Sequence, residues 1–400
     1  MKQQIHACIA AGTAAAALLL CGCALTKPIG SAPEQEISTT TGTTTTVLTS
    51  TATTTNVYTP PDDPLLADTL RTMTVEEKAA QMMLVCCSDE AVGLAACEAG
   101  AGGLCLFAEP FAYRSAEQVQ EMTAGFQAAA NIPVLLSADE EGGTVNRISL
   151  NPQLRDHIFY SPRYLYELGG MAQIEAETAE KADLMKNLGM NVNLAPVCDV
   201  PLTDTDFIYL RCFSTDANET ADYVSDVVGI MKDKQLGSTL KHFPGYGGSA
   251  DTHLNMAFDD RPYSEFVSRD FLPFEAGIAA GADSVMVSHN IVSCMDAEQP
   301  ASLSPAVHKI LREELGFRGV IISDDLSMNA ITQFTNGQNP AVAAVLAGND
   351  MLCYSDYEGA AAAITEAVRS GVIDEEQIDA SVLRILAWKQ SLGLLDTPAP

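Results

Sequence analysis

The chain has 400 residues, 47% of them hydrophobic, and carries 22 Lys and Arg side chains against 52 Asp and Glu side chains. This apolar content is enough for a large core and excludes a chain that is disordered throughout. The formal net charge of −30 argues against nucleic acid as a partner, because phosphate backbones repel so acidic a surface.

Residues 1–22 have the pattern of an export signal, with Lys2 followed by a long apolar run. The run ends in Leu-Cys-Gly-Cys, which resembles the lipobox of bacterial lipoproteins. We therefore predict a lipoprotein signal peptide over 1–22 and lipidation of Cys23. The protein is then expected outside the cytoplasm, held at the cell membrane by its lipid anchor only. The alternative is an uncleaved anchor, since about 19 apolar residues are just long enough to span a bilayer.

Residues 23–63 are predicted to form a disordered tether behind the lipidated cysteine. Thirteen of the 22 residues from Ser38 to Thr59 are threonine and none is charged, so this stretch has little to bury. A flexible coil of about 40 residues has a typical reach of about 35 Å. The folded part, 64–400, is therefore expected to work away from the membrane surface.

Eight apolar runs of strand length alternate with longer helical patterns from residue 64 onward. The runs are 81–87, 102–107, 132–139, 191–197, 238–243, 284–290, 319–325 and 350–356. Segments between them, such as 115–131, 163–189 and 218–237, repeat apolar residues at spacings of three and four, which indicates amphipathic helices. The alternation predicts an α/β fold with a single (β/α)8 barrel of the TIM type. A helical pattern over 374–395 ends this part, and no second large domain is expected.

Several of these runs end in a polar or ionisable residue. These residues are Asp139, Lys241, His242, His289, Asp324 and Asp356. In barrel enzymes the side chains at the carboxyl ends of the strands converge over one mouth. We therefore expect the functional site at that mouth.

The loop after the fifth run contains Asp251 and His253, which lie two residues apart. In an extended segment both side chains point to the same side, and a carboxylate beside an imidazole fixes its tautomer and raises its basicity. The pair is thus suited to general acid/base catalysis near neutral pH. The alternative is an ordinary Asp and His in a solvated loop.

Asp324 comes directly after the hydrophobic part of the seventh run. A carboxylate at that point suits a nucleophile, a metal ligand or the cap of a following helix, and the segment alone leaves these three roles open. Asp139 lies at the end of the third run, with two glycines and Arg147 behind it.

Five groups of motifs resemble glycoside hydrolase family 3, and within it the β-N-acetylhexosaminidases. They are DEEGGTVNR, NLAPVCDV with RCFS, KHFPGYGG with DTH, LREELGFRGV and ISDDLSM. The resemblance runs from about residue 66 to residue 394. It implies a retaining exo-β-N-acetylglucosaminidase that removes terminal β-linked N-acetylglucosamine (GlcNAc) from peptidoglycan fragments or other glycans. It implies no metal and no organic cofactor.

The resemblance also implies roles for individual residues. Asp324 takes the place of the nucleophile that forms a covalent glycosyl intermediate, and His253, held by Asp251, takes the place of the acid/base. The residues at positions that hydrogen-bond the sugar hydroxyls are Asp139, Arg211, Lys241 and His242. Arg147 is expected either to support Asp139 or to form an ordinary salt bridge.

The chain departs from the family pattern at three positions. Tyr246 stands where a second His is most frequent, Thr252 where Ser is found, and Thr144 where Arg is common. The loop between Lys241 and the Asp251–His253 pair is also one residue shorter. These differences bear on the resting position of the loop and on the leaving group, and leave the predicted catalytic residues in place.

Three other functions stay open at this point. The first is a lipoprotein that binds sugar without cleaving it. The second is a phosphorolytic β-N-acetylglucosaminidase, because a neutral imidazole repels phosphate less than a carboxylate does. The third is a metal-dependent amidohydrolase, which needs a His-x-His pair on its first strand where this chain has QMMLVCC. The sequence does not predict the oligomeric state.

Eight cysteines lie beyond the predicted lipidation site. They are Cys86, Cys87, Cys97, Cys105, Cys198, Cys212, Cys294 and Cys353. An even number in an exported protein favours disulfides, but most of these lie in predicted buried strands, where a free cysteine behaves as a small apolar residue. We expect free thiols.

Overall fold

The computed structural model describes residues 63–249, 251–252, 256–335 and 339–395. The predicted signal peptide over 1–22, Cys23 and the predicted tether as far as residue 62 lie outside these residues, and so does His253. Within the described part, no helix combines the length and the apolar character that crossing a bilayer requires.

Eight parallel strands form a closed barrel. The strands of the chain are β1 (Met83–Cys87), β2 (Gly103–Leu106), β3 (Leu135–Ala138), β4 (Val192–Asn193), β5 (Gly237–Phe243), β6 (Phe258–Asp259), β7 (Ser284–Val287), β8 (Ile291–Val292), β9 (Val320–Ser323) and β10 (Met351–Tyr354). All but β6 and β8 belong to the barrel, which closes where β10 pairs with β1. Each barrel strand overlaps one of the eight predicted runs, so the predicted (β/α)8 barrel is confirmed.

Helices cover the outside of the barrel and bury the outer faces of its strands. They are α1 (Pro64–Thr72), α2 (Val75–Gln81), α3 (Glu90–Glu98), α4 (Ala116–Ala129), α5 (Pro162–Gly169), α6 (Met171–Asn187), α7 (Ala217–Asp233), α8 (Tyr263–Glu265), α9 (Phe271–Ala280), α10 (Pro305–Lys309), α11 (Asn329–Phe334), α12 (Ala341–Ala347), α13 (Tyr357–Arg369) and α14 (Glu375–Ser391). The helical pattern over 163–189 is two helices, because Gly170 takes a φ of +67° that ends α5 before α6 begins.

Side-chain caps explain where several of these helices begin. Ser115 accepts the backbone N–H of Gln118, whose side chain accepts the N–H of Ser115 in return, and α4 starts between them. Asp356 accepts the N–H of Gly359 at the start of α13. These caps satisfy N–H groups that have no partner within the helix. Asp356, the polar residue at the end of the eighth run, is therefore a helix cap.

The second helix, α2, and the last helix of the described part, α14, are joined by polar contacts of two lysines. The Lys78 ammonium in α2 lies 2.7 Å from Glu375 and 2.6 Å from Asp379, both in α14. Lys389 is completely buried in α14 and donates to the side-chain oxygen of Gln81 at 2.7 Å. These contacts fix α14 against α2 on the amino-terminal side of β1.

The short strands β6 and β8 lie outside the barrel and pair with each other in parallel. The N–H of Ile291 donates to the carbonyl of Ala257 at 2.8 Å, and the N–H of Ser293 to the carbonyl of Asp259 at 2.9 Å. Because β6 follows the long loop after β5 and β8 follows β7, this pairing joins the end of that loop to the segment that follows β7.

Candidate active site

A cavity of about 330 Å³ opens at the carboxyl ends of the barrel strands. Its lining brings together six of the predicted site residues: Asp139, Arg147, Arg211, Lys241, His242 and Asp324. Apolar and sulfur-bearing side chains complete the wall, among them Phe107, Leu194, Met286, Met328 and the thiols of Cys86, Cys105 and Cys353. The volume lies at the small end of the range for ligand pockets.

A buried ion network forms one wall of this cavity. The Lys241 ammonium lies 2.7 Å from an Asp139 oxygen and 2.5 Å from a Glu141 oxygen. The Arg211 guanidinium donates to both oxygens of Glu141, at 2.8 and 3.0 Å. Only 2% of the Lys241 side chain and 4% of the Glu141 side chain are exposed, so these charges interact with little screening by water.

The network favours the charged forms of Glu141 and Lys241. Burial disfavours the charged form of Glu141, but the charges and hydrogen bonds of Arg211 and Lys241 outweigh it and hold the pKa of that carboxyl well below its usual range. Burial likewise opposes the charge on Lys241, and Asp139 and Glu141 more than compensate, so the pKa of its ammonium is raised. The wall therefore presents fixed cationic donors and carboxylate acceptors, the two kinds of group that bind sugar hydroxyls.

His242 has a defined tautomer. The Arg211 guanidinium only donates and lies 3.0 Å from Nε2 of His242, so Nε2 accepts and Nδ1 carries the proton. That proton is donated to Asp199 at 2.7 Å. The other oxygen of Asp199 accepts the backbone N–H of Tyr246 at 2.8 Å. One buried carboxylate thus orients both His242 and the turn that follows β5.

Lys241 and His242 are consecutive, and both line the cavity. The peptide bond between them is cis. The chain then turns at Gly245, whose φ of +114° favours glycine. A Cβ at Gly245 would lie 2.8 Å from a carboxylate oxygen of Asp270, so the space as well as the backbone calls for glycine here.

Asp324 follows β9 and is half-buried in the cavity wall. Its backbone N–H donates to the carbonyl of Val287 at 2.9 Å, and one carboxylate oxygen accepts the N–H of Asp325. The next helix, α11, begins only at Asn329 and has no side-chain cap at its first residue. The helix-cap alternative for Asp324 is therefore wrong, and its carboxylate lies at the mouth where the site was expected.

His289 forms a hydrogen bond to the backbone next to Asp324. Its ring is fully buried, with Nδ1 2.7 Å from the hydroxyl of Ser302, and Nε2 donates to the backbone carbonyl of Asp325 at 2.9 Å. Both ring nitrogens are engaged in the structure's interior, so this strand-end histidine has a packing role.

Arg147 contacts Asp139 from the side opposite Lys241. Its guanidinium lies 3.4 Å from Asp139, and its backbone N–H donates to the buried carboxylate of Glu140 at 2.8 Å. Glu140 also accepts the N–H groups of Ile148 and Ser149. Arg147 is thus held on a loop that Glu140 fixes, and it both pairs with Asp139 and lines the cavity.

Asp251 is half-buried, and Thr252 beside it is completely buried. The Thr252 hydroxyl forms a hydrogen bond of 2.8 Å with the hydroxyl of Tyr246. Asp251 is not among the residues that line the cavity, and His253 lies outside the described residues. The predicted pairing of Asp251 with His253 therefore stays a prediction.

Two residues of the site were missed in the sequence. Glu141 lies two positions after Asp139, on the same side of an extended segment, and this spacing is a signal that points to it. Asp199 follows the fourth strand run in the same way as other strand-end carboxylates. Both are buried acids, Glu141 beside the Arg211 and Lys241 cations and Asp199 beside the His242 imidazole, and strand-end position alone did not separate them from solvated residues.

The eight cysteines beyond residue 23 are free thiols in the structure. Seven are buried and Cys294 is exposed. In the parts of the chain that the structure describes, no group of three or more His, Cys, Asp or Glu side chains is arranged to hold a metal ion.

Comparison with known families identifies the barrel. The model of the glycosyl hydrolase family 3 N-terminal domain matches residues 74–388. The chain belongs to glycosyl hydrolase family 3. Its curated relatives include β-hexosaminidases. A β-hexosaminidase of Xanthomonas campestris is 37% identical over 234 residues, which are 57% of this chain and 69% of the relative.

Solved structures of the family share the fold. A family 3 β-N-acetylglucosaminidase from a Paenibacillus species has a TM-score of 0.76 and 30% identity, over 82% of this chain and 64% of its own. A β-N-acetylhexosaminidase from Beutenbergia cavernae has a TM-score of 0.71 and 25% identity, over 80% of this chain and 99% of its own. The chain thus spans somewhat less than two thirds of the Paenibacillus protein.

Proposed function

We propose that this glycoside hydrolase is a retaining exo-β-N-acetylglucosaminidase that removes terminal β-linked GlcNAc from peptidoglycan fragments or other glycans. The observation that carries the proposal is the position of Asp324. Its carboxylate shares one small cavity with Asp139, Lys241, Arg211 and His242. That arrangement combines a nucleophile of the right type with groups that hold a sugar ring beside it.

The ion network supplies the binding part of the reaction. Sugar hydroxyls both donate and accept, so neighbouring hydroxyls are matched by a carboxylate beside an ammonium or guanidinium group. Asp139 and Lys241 form such a pair, and Arg211 with His242 extends it along the wall. A ring held by these groups is fixed relative to Asp324, which lowers the entropic cost of the attack.

The chemistry proceeds in two displacements. An Asp324 oxygen attacks the anomeric carbon while the glycosidic C–O bond breaks, and the His253 imidazolium gives its proton to the departing oxygen. Water then attacks the same carbon, the His253 imidazole takes its proton, and Asp324 leaves with its electron pair. Two inversions give net retention. Asp251, two residues before His253 in the sequence, is the group that orients the imidazole and stabilises its charged form.

The size of the cavity favours removal of a single terminal residue. It has a volume of about 330 Å³, and the thiols of Cys86, Cys105 and Cys353 belong to its wall. Those residues lie on β1, β2 and β10, within the barrel, so the cavity ends in packed core and not in an open groove. A glycan enters such a pocket by its end.

The proposed location follows from the amino terminus. The lipobox-like Leu-Cys-Gly-Cys ending at Cys23 and the threonine-rich tether support a bacterial lipoprotein whose barrel works outside the cytoplasm at the end of a flexible linker. Peptidoglycan fragments are the GlcNAc-containing glycans that such a protein meets. Metabolic labelling with a radioactive fatty acid, compared between the natural chain and Cys23→Ala, tests the anchor: the label must depend on Cys23.

Activity is tested with residues 60–400 and 4-nitrophenyl β-GlcNAc. We expect turnover by the natural sequence, a loss of several orders of magnitude in Asp324→Asn, and a large loss in His253→Ala. The 4-nitrophenyl glucoside serves as the matched substrate without the acetamido group. Formation of a sugar 1-phosphate in the presence of inorganic phosphate would show that the enzyme is phosphorolytic and not hydrolytic. A folded protein that binds GlcNAc and turns over neither glycoside would contradict the proposal.

A further inference from the structure

The hydrogen bond between Tyr246 and Thr252 is buried at both ends. The two hydroxyl oxygens are 2.8 Å apart, and the residues are 1% and 0% exposed. Burial raises the pKa of the Tyr246 phenol well above its usual value, and the nearby charge of Asp324 adds to this. The phenol is therefore neutral at all physiological pH values and retains a proton for a hydrogen bond.

Tyr246 is itself rigidly held. Its backbone N–H donates to Asp199, the carboxylate that also orients His242. Its ring meets the Phe207 ring edge-on, with centroids 5.0 Å apart, and packs in a small apolar cluster with Val197, Ile208 and Cys212. The Tyr246 ring is thus held in place beside the His242 ring, with the two ring centroids 5.1 Å apart.

The loop after β5 is fastened on both sides of Thr252. Before it, the N–H of Ser249 donates to the carbonyl of Tyr246 at 2.8 Å, and the Ser249 hydroxyl reaches Asp259 at 3.3 Å. After it, the carbonyl of Ala257 accepts the N–H of Ile291. Between these points, the contact with Tyr246 holds Thr252, the residue that precedes His253 in the sequence.

We propose that Tyr246 is a positioning residue for the acid/base step and acts through Thr252 on His253. The proposal rests on the proposed function, in which His253 is the acid/base. Thr252 is covalently joined to His253, so a hydrogen bond that fixes Thr252 restricts where the next side chain starts. Tyr246 is not among the residues that line the cavity, so its proposed action on the reaction is indirect.

The sugar-binding wall and Tyr246 are connected through Asp199. Asp199 accepts from His242 on one side and from the Tyr246 backbone on the other. His242 is one of the groups proposed to hold the sugar. One of the groups proposed to bind the ring and the residue proposed to position the acid/base therefore share one buried carboxylate.

The test compares substrates that differ in their need for acid catalysis. The value of kcat/KM reports the first displacement, in which a poor leaving group requires a proton and nitrophenol scarcely does. We expect Tyr246→Phe to lower kcat/KM for N,N′-diacetylchitobiose by about 3- to 10-fold, the loss that one neutral hydrogen bond gives. For 4-nitrophenyl β-GlcNAc the loss is expected to be less than about 2-fold, and KM to change little for either substrate.

Three further variants make the result specific. Thr252→Val removes the partner hydroxyl and should copy Tyr246→Phe, whereas Thr252→Ser keeps the hydroxyl and should retain activity on both substrates. Because the two removals break the same contact, the double variant should lose no more than either single one. Tyr263→Phe is the matched control, since its hydroxyl donates to exposed Glu314 and its loss should leave the substrate ratio unchanged.

The possible outcomes separate this proposal from the function on which it rests. Equal losses on both substrates in Tyr246→Phe, no loss at all, or additive losses in the double variant would overturn the positioning role. His253→Ala is measured in parallel. If it changes the substrate ratio strongly while Tyr246→Phe and Thr252→Val do not, only the positioning role fails. If His253→Ala leaves the ratio unchanged, the acid/base assignment fails, and the positioning role with it.

Discussion

Replacing Glu141 by Gln tests whether the buried ion network is a requirement of the site. Glu141 lies between two cations, 2.5 Å from the Lys241 ammonium and 2.8 Å from the Arg211 guanidinium. Gln keeps the shape but carries no charge, and its amide group turns an N–H₂ toward one of the cations. Asp139 then remains the carboxylate that faces Lys241 in this wall.

The expected cost is large because both partners stay buried. Removing one member of a buried ion pair typically destabilises a protein by about 3 to 5 kcal/mol, so we expect the free energy of unfolding in urea at pH 7 to fall by about 3 kcal/mol. The native state binds fewer protons than the unfolded state as long as the pKa of Glu141 is held low. The difference in the free energy of unfolding between the natural chain and Glu141→Gln should therefore shrink as the pH falls below 4.5, the ordinary pKa of a glutamate side chain.

The matched control is Glu180→Gln. Glu180 pairs with Arg155 at 2.8 Å, but 55% of its side chain is exposed, and exposed pairs contribute about 0 to 1 kcal/mol. We also expect Glu141→Gln to lower kcat/KM for 4-nitrophenyl β-GlcNAc, because Lys241 and Arg211 lose their common anchor. A stability change below about 1 kcal/mol with unchanged kcat/KM would refute the reasoning.

Two further perturbations probe the scaffold. Burial lowers the pKa of Lys389 from 10.5 to about 7. Between these two pH values the native state therefore binds fewer protons than the unfolded state. The stability of the natural chain relative to Lys389→Met should then rise with pH by up to about 1.4 kcal/mol per pH unit. Urea unfolding at pH 7 and pH 9 measures this, and a pH-independent difference would contradict it. Gly245→Ala should lower the melting temperature and kcat/KM, because φ is +114° and the new Cβ meets Asp270. Gly125→Ala is the control, because there is open space at its Cβ. A melting temperature of Gly245→Ala equal to that of the natural chain would show that the turn has no such restriction.

The barrel was predictable because its signal is local and repeated. Parallel strands covered by helices are apolar throughout, so each barrel strand stands out as a short run, and glycines or capping residues mark the intervening helices. Gly170 shows the limit of this method, since the helical spacing continues across it and only its φ of +67° divides α5 from α6. The pair β6 and β8 has two residues in each strand, too few to give a pattern.

The site was predictable in part. Strand-end position and family motifs located Asp139, Arg211, Lys241, His242 and Asp324, which the structure brings to one cavity. The partners that make these residues work as a group were missed, because a strand-end position does not distinguish a buried acid from a solvated one. Glu141 and Asp199 act through contacts between residues 43 to 100 positions apart, and such contacts depend on how the barrel closes.

The central claim is a glycosyl bond to Asp324, and it is tested by mass spectrometry of the His253→Ala variant mixed with 4-nitrophenyl β-GlcNAc. Without its acid/base the first step still proceeds with this activated substrate, while the second step is slow, so the intermediate should accumulate. The account predicts one added N-acetylglucosaminyl group on the peptide that contains Asp324, and no addition when Asp324→Asn is combined with His253→Ala. An adduct on another residue, or nitrophenol release at the rate of the natural enzyme with no adduct, would contradict it.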